Sequence, residues 1–257
     1  MALDRESALR TVKKVLKTDY ACEEWCFDEE GVFVYQAREN EGRRQFPFRE
    51  KSLTVVTMGR GVVVSCSPER LRWAKANLGH LARDEIFRAF AIARMEKYVS
   101  RDNQSIVGPG LKYICTQDSF QPYASPGRIN VSTVEGEQMQ ELYQTSEFSN
   151  ALGYRHDPRR PRTVAFVAKY EGRIVGIAAA SADCDEMWQV GVDTLSNYRG
   201  HGIGKALVSM ITRTLFGKGK LPYYSTQLSN IISRRLATSL GYWPAWVDLY
   251  AIEKGLR

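Results

Sequence analysis

The chain has 257 residues, 44% of them hydrophobic and 25% charged, enough apolar side chain for two modest cores or one large one. Its net charge of +7 invites a nucleic-acid partner, yet the basic residues are dispersed rather than gathered in a tract, and no nucleic-acid motif accompanies them. No apolar run is long enough to span a bilayer, Met1 opens no secretory signal, and five cysteines leave one unpaired in any disulfide scheme; the expectation is a cytoplasmic protein with reduced thiols and no membrane partner.

Residues 1–120 read as an α/β domain. A helical start runs from Arg5 to Lys17, then a strand-like segment from Gly31 to Ala37 and a second from Leu53 to Ser65. Ser67-Pro68-Glu69 has the composition of a helix start, because proline suits the first helical turn. Ile86 to Val99 reads as a further helix and Leu111 to Cys115 as a strand. Cys22 and Cys26 stand one helical turn apart, Cys66, Cys115 and Cys184 stand alone, and His80 and His156 lack ligand companions, so no metal is expected.

Gln121-Pro122-Tyr123-Ala124-Ser125-Pro126-Gly127 combines turn formers with little periodicity, and residues 121–128 read as a linker to a second domain over 129–257. Ile129 to Val134 is its first strand, and Glu137 to Leu152 a helical stretch. A basic run, Arg155-His156-Asp157-Pro158-Arg159-Arg160-Pro161-Arg162, reads as a solvated loop, with an anionic acceptor or the adenosine phosphate of a cofactor as its other readings. Thr163 to Tyr170 and Arg173 to Ser181 are strands joined at Glu171-Gly172, a two-residue loop suited to a tight hairpin. Glu186 to Leu195 is a third strand after the turn Asp183-Cys184-Asp185. Ile203, Leu207, Met210, Ile211 and Leu215 then recur at the spacing of one helical face, ending near Gly217-Lys218-Gly219. Leu221 to Leu228 is a strand, Ser229 a cap for a helix carrying Ile232, Leu236 and Leu240, Gly241 its stop, and Tyr242 to Ile252 the last strand.

The segment Arg199-Gly200-His201-Gly202-Ile203-Gly204-Lys205 therefore sits at a strand-to-helix junction, where small residues let backbone approach an anion and unpaired N–H groups face it. A dinucleotide fingerprint needs a third glycine three positions after the second; that position is Lys205 or Leu207. A Walker loop needs Ser or Thr after Gly-Lys, and here Ala206 follows Gly204-Lys205. Arg-x-x-Gly-x-Gly is satisfied by Arg199, Gly202 and Gly204.

That pattern resembles the acetyl-CoA loop of the GNAT acetyltransferase superfamily. Asn230, Ser233 and Gly241-Tyr242 occupy the places of its second signature, and the likeness covers about Ile129 to Glu253. It implies an α/β fold, a mixed and mostly antiparallel sheet flanked by helices, with the first domain as a smaller α/β addition that shapes the acceptor site, mediates a homodimer or is a degenerate acetyltransferase half. It implies acetyl-CoA as co-substrate, with no metal, and a small-molecule amine as acceptor. Val192, Thr194 and Leu195 would face the pantetheine arm, and a bulge in their strand would turn an N–H toward the thioester. Arg199, Gly200, His201, Gly202, Ile203, Gly204 and Lys205 would hold the pyrophosphate, and Asn230 and Ser233 the pantetheine. Direct attack needs a base, for which Glu186 is the candidate, with Asp183 and Asp185 beside it. The tyrosine that usually protonates the departing thiolate is replaced by Ala237, leaving Tyr242, Ser233 or water. Trp188, Trp243 and Trp246 are candidate walls of the acceptor cavity. The other reading is an acyl-CoA-binding regulatory domain without efficient catalysis.

Overall fold

The computed structural model describes residues 4–44, 52–125, 127, 129–144, 146–153 and 158–255. Arg155, His156 and Asp157 of the basic run and Pro126 of the linker lie outside them. In chain order the elements are α1 (Arg5–Tyr20), β1 (Val32–Gln36), β2 (Leu53–Thr57), β3 (Val62–Cys66), α2 (Leu71–Asn77), α3 (Arg83–Ile86), α4 (Ala89–Val99), β4 (Gln104–Ile114), β5 (Asn130–Glu135), α5 (Ser149–Leu152), β6 (Arg162–Tyr170), β7 (Arg173–Ser181), β8 (Met187–Thr194), α6 (Ile203–Gly217), β9 (Leu221–Gln227), α7 (Ile231–Ser239) and β10 (Trp243–Glu253). None of the described helices is long and apolar enough to cross a membrane.

The chain forms two compact units. One gathers Leu9–Lys112, Thr226–Ser229 and Pro244–Arg257; the other gathers Met1–Ala8, Tyr113–Ser225 and Asn230–Trp243. In the first, the strands run in the order β1-β3-β2-β10-β4. The valine-rich run expected to be one strand from Leu53 to Ser65 is a hairpin, paired from Leu53↔Cys66 to Thr57↔Val62. Thr57 closes its turn: the hydroxyl oxygen accepts the Gly59 N–H at 3.0 Å and donates to the Gly61 carbonyl at 2.7 Å. One face of this sheet packs Leu53, Val55, Val62 and Val64 against Leu78 of the segment after α2, Ile86 of α3 and Met95 and Val99 of α4. Three of the buried cations here have carboxylate partners. Arg44 Nε donates to Asp19 at 2.6 Å, Lys112 pairs with Asp248, and Arg70 Nη2 reaches Asp102 at 2.6 Å.

In the second unit the order is β9-β8-β7-β6-β5, antiparallel except for β8 and β9, which run parallel. The hairpin at Glu171-Gly172 has positive φ at both residues, 49° and 82°, as a two-residue turn requires to match strand twist. On one face Gly176 lets α6 sit directly on β7: a Cβ there would lie 3.2 Å from Ile203 and Leu207. The other face packs Ala165, Val167, Ile177 and Ala179 against Met139, Leu142, Phe148 and α5. The stretch from Glu137 to Leu152 is not one α-helix. It is a 3-10 run, Gly136–Gln144, a 3-10 turn, Ser146–Phe148, and then α5. Its buried residues explain this: Met139 and Leu142 stand three apart, which suits three residues per turn.

Candidate functional site

The site begins where two strands part. β8 pairs with β9 from Met187↔Leu221 to Val190↔Tyr224, and among the described residues that ladder ends there, although β8 continues to Thr194. On its other side β8 stays paired with β7 as far as Gly176↔Thr194, and the Leu195 N–H donates to the Val175 carbonyl at 2.9 Å. Alternate residues of an antiparallel strand turn their backbone groups to the partner. Gly191 and Asp193, in phase with Leu195, therefore face β7, and Val192 and Thr194 aim their N–H groups into the opening. The β7–β8 register from Ser181↔Gln189 to Gly176↔Thr194 is unbroken, so the expected bulge is not in this ladder. The departure of β9 exposes the amides instead. The Leu195 carbonyl accepts the Tyr198 N–H at 2.9 Å, so both of its backbone groups have partners within the protein.

Beyond Leu195 a 3-10 turn, Ser196–Tyr198, leads to Gly200 and Gly202, both at φ 81°, and Gly202 is the residue preceding α6. That conformation strains any residue with a Cβ. Around Gly200 there is open space, whereas a Cβ on Gly204 would meet Thr194 Oγ1 at 3.1 Å and Leu236 Cδ1 at 3.4 Å. Gly204 is thus a close-packing residue, and Gly200 and Gly202 shape the backbone. The Ala206 N–H closes the first helical bond onto Gly202 at 2.9 Å. The N–H groups of Ile203, Gly204 and Lys205 remain as the first-turn donors at the positive end of the helix. Arg199 Nε donates to the Thr194 carbonyl at 3.0 Å and ties the loop back to β8. His201 is exposed. A residue missed in the sequence is Tyr123, read there as linker. Its N–H donates to Ser209 Oγ at 2.8 Å, its hydroxyl would lie 2.7 Å from a Cβ on Gly202, and Lys205 Nζ sits 4.7 Å from its ring centre.

Asn230, not Ser229, caps α7: its Oδ1 accepts the Ser233 N–H at 3.1 Å, which leaves the amide nitrogen as the group able to donate outward. Ser233 Oγ lies 2.6 Å from the Tyr224 hydroxyl, and Tyr224 belongs to the last β8–β9 pair before the opening. Burial, ahead of the opposing hydrogen bond from Ser233, raises the Tyr224 hydroxyl above its ordinary value, so it stays protonated at neutral pH. Ala237 is fully buried. Tyr242 is buried too, its hydroxyl 2.7 Å from Thr212 Oγ1.

Glu186 lies one residue before β8, so strand alternation does not fix its side; its carbonyl accepts the Leu221 N–H at 2.8 Å. Four residues separate it from Val190, about 13 Å of strand. Asp185 is exposed, but Asp183 is no solvated turn residue. Its carboxylate is buried, accepts Arg160 Nε at 3.0 Å and is bonded by the Tyr223 hydroxyl. Arg160 also donates to Gln189 Oε1 at 2.9 Å. The described end of the basic run therefore turns into the protein rather than into solvent. Trp188 lies under Lys220, Trp243 under Arg5, and Trp246 is buried beside Arg44 in the first unit. Trp246 fills a core instead of lining a cavity. Among the described residues no three His, Cys, Asp or Glu side chains are grouped to hold a metal.

Residues 130–242 match the model of the Acetyltransferase (GNAT) family. No curated protein matches the chain. Among solved structures it is similar to a GCN5-related N-acetyltransferase from Kribbella flavida, at 23% identity and a TM-score of 0.47, over 62% of this chain and 63% of that one. It is also similar to a GCN5-related N-acetyltransferase-like protein from Streptococcus suis 89/1591, at 19% identity and a TM-score of 0.46, over 62% and 67%. The chain thus spans less than two thirds of the first of these.

Proposed function

With residues 130–242 forming a domain of the Acetyltransferase (GNAT) family, we propose that the chain transfers acetyl from acetyl-CoA to the primary amine of a small molecule by direct attack. The observation that carries this reading is the opening after Val190↔Tyr224, which leaves the Val192 and Thr194 amides without a strand partner among the described residues, on a strand running straight into a helix start suited to an anion. Acetyl-CoA supplies an acetyl group activated as a thioester. Val192 and Thr194 pair with its pantetheine arm as a neighbouring strand would, and the Asn230 amide nitrogen adds a donor beside it. Ile203, Gly204 and Lys205 offer three N–H groups and the helix dipole to the pyrophosphate, with Gly200, His201 and Gly202 shaping the approach. Arg199 holds that loop in place.

An alkylamine has a pKa of about 10.4 and must lose a proton before it attacks. Glu186 takes that proton through water. The Tyr224 hydroxyl, bonded to Ser233 at the edge of the opening, returns one to the departing thiolate in place of the tyrosine that Ala237 replaces. Thiols have a pKa of about 8.5, so this donor contributes less than it would for a poorer leaving group.

Calorimetry with acetyl-CoA tests the binding half: the wild type binds and Gly202→Trp does not, since the new side chain meets Tyr123 at a left-handed backbone position. Absence of wild-type binding, or binding indifferent to the substitution, overturns the reading. Glu186→Gln should flatten the rising limb of the pH–rate profile and leave acetyl-CoA affinity unchanged. The buried alanine at 237 favours one second reading, an acyl-CoA-binding regulatory domain. Tight binding with only background thiol release across a broad amine panel would select it.

A further inference from the structure

The unit that carries the opening also carries a line of polar residues across its sheet. Arg162 on β6 lies opposite Ser181 on β7, Ser181 opposite Gln189 on β8, and Gln189 opposite Tyr223 on β9. Strand neighbours in register share a face, so the four stand in one row across the sheet. Arg160 reaches the same row through Gln189 at 2.9 Å and Ser181 Oγ at 3.4 Å. The carboxylate at hand is Asp183, which is engaged by Arg160 and by Tyr223. Arg162 has a buried Nε with no hydrogen-bond partner among the described residues, makes no ion pair there, and neighbours Thr163, whose buried hydroxyl is likewise unpartnered. Burial first, and then the like charge of Arg160, lower the pKa of the Arg162 guanidinium. Arg162 is half-buried, and its planar guanidinium is the group best matched to a carboxylate.

We propose that this row forms a carboxylate-binding subsite centred on Arg162, so that the acceptor is an amine that also bears a carboxylate. The proposal rests on the acyl-transfer reading and names its substrate class. The anion bound here is not a phosphate of the cofactor: Gln189 lies six residues, about 20 Å of strand, before the loop that starts at Leu195. The row does adjoin the opening, because Gln189 and Tyr223 directly precede the last β8–β9 pair. From Gln189 to the Val192 amide is about 10 Å of strand, a span that one small amino acid and its side chain can bridge.

The test compares free amino acids with the matched amines that lack the carboxylate, by thiol release from acetyl-CoA. The wild type should prefer the carboxylated member of each pair. Arg162→Gln should raise KM for that member about 10- to 100-fold, leave the plain amine and acetyl-CoA affinity unchanged, and Arg162→Lys should retain part of the preference. Thermal melts serve as the folding control, since replacing a half-buried side chain that makes no ion pair among the described residues should change Tm little. Equal use of both members, an equal effect of Arg162→Gln on both, or a preference for a phosphorylated amine such as phosphoethanolamine overturns the subsite. Absence of turnover with every amine is a failure of the parent reading instead. The subsite is then decided by calorimetry of the same amino acids on the CoA-saturated protein: binding lost in Arg162→Gln supports it, and no binding rejects it.

Discussion

The two compact units hold their cations differently: the unit from Leu9 onward buries Arg44, Arg70 and Lys112, whereas Arg160 and Arg162 of the other are half-buried. In the unit from Leu9 onward, Arg44 has Asp19, Lys112 has Asp248 and Arg70 has Asp102. In the other, Arg160 pairs with Asp183, and Arg162 makes no ion pair among the described residues. A matched buried pair is a closed arrangement whose loss of one member leaves an orphan charge. Under the proposed subsite, a carboxylate from outside would complete Arg162 of the second unit.

The sharpest way to break this comparison is to delete one cation from each unit. Arg44→Met strands Asp19 and should cost about 3–5 kcal/mol of stability, lowering Tm by about 10 °C, with activity per folded molecule intact. Arg162→Met should leave Tm level or raise it. Equal destabilisation of the two in differential scanning calorimetry would remove the distinction between them. Within the second unit, Tyr224→Phe should lower kcat about 10- to 100-fold, with acetyl-CoA affinity and Tm little changed; a loss of affinity of the same size would make Tyr224 a binding residue rather than a proton donor. Tyr123→Ala should weaken acetyl-CoA binding about 3- to 5-fold by releasing Lys205 from its ring, an effect read by calorimetry and smaller at high salt. The mildest outcome concerns both units together. Burial pushes Cys22 and Cys115 up to about 12 and Cys66 up to about 11 from an ordinary 9.0. Groups raised on folding leave stability intact below about pH 9 and remove it as pH climbs toward 12, so denaturant midpoints should fall only across that alkaline window.

Much of the second unit was legible in the sequence because its signals are local. Glu171-Gly172 announces a hairpin, the glycines after Thr194 announce a strand-to-helix junction, and the spacing of Ile203, Leu207 and Ile211 announces a helix face. The hairpin inside Leu53 to Ser65 stayed hidden because unbroken valines on both sides of Gly59-Arg60-Gly61 look like one buried strand. The polar row was hidden for a deeper reason. Asp183 and Arg160 sit among turn formers and read as solvated; only the register of four strands buries them with Gln189 and Tyr223. Tyr123 was lost in the same way, since a tyrosine between prolines gives no sign that it will lie across Gly202. Ala237, by contrast, told the sequence reader what was missing but not that Tyr224, one strand away, stands beside Ser233.

Gly191 and Asp193 sit two apart on β8 and both touch α5. A Cβ on Gly191 would come within 2.2 Å of the Asn150 carbonyl, and the Asp193 carboxylate accepts the Asn150 and Ala151 N–H groups at 2.7 and 2.9 Å. A helix of four residues cannot hold itself in water. Here it is clamped from one side by a missing side chain and from the other by a carboxylate, so its first amides should exchange hydrogen as slowly as the strand they rest on. The wall over β8 then behaves as an extension of the sheet.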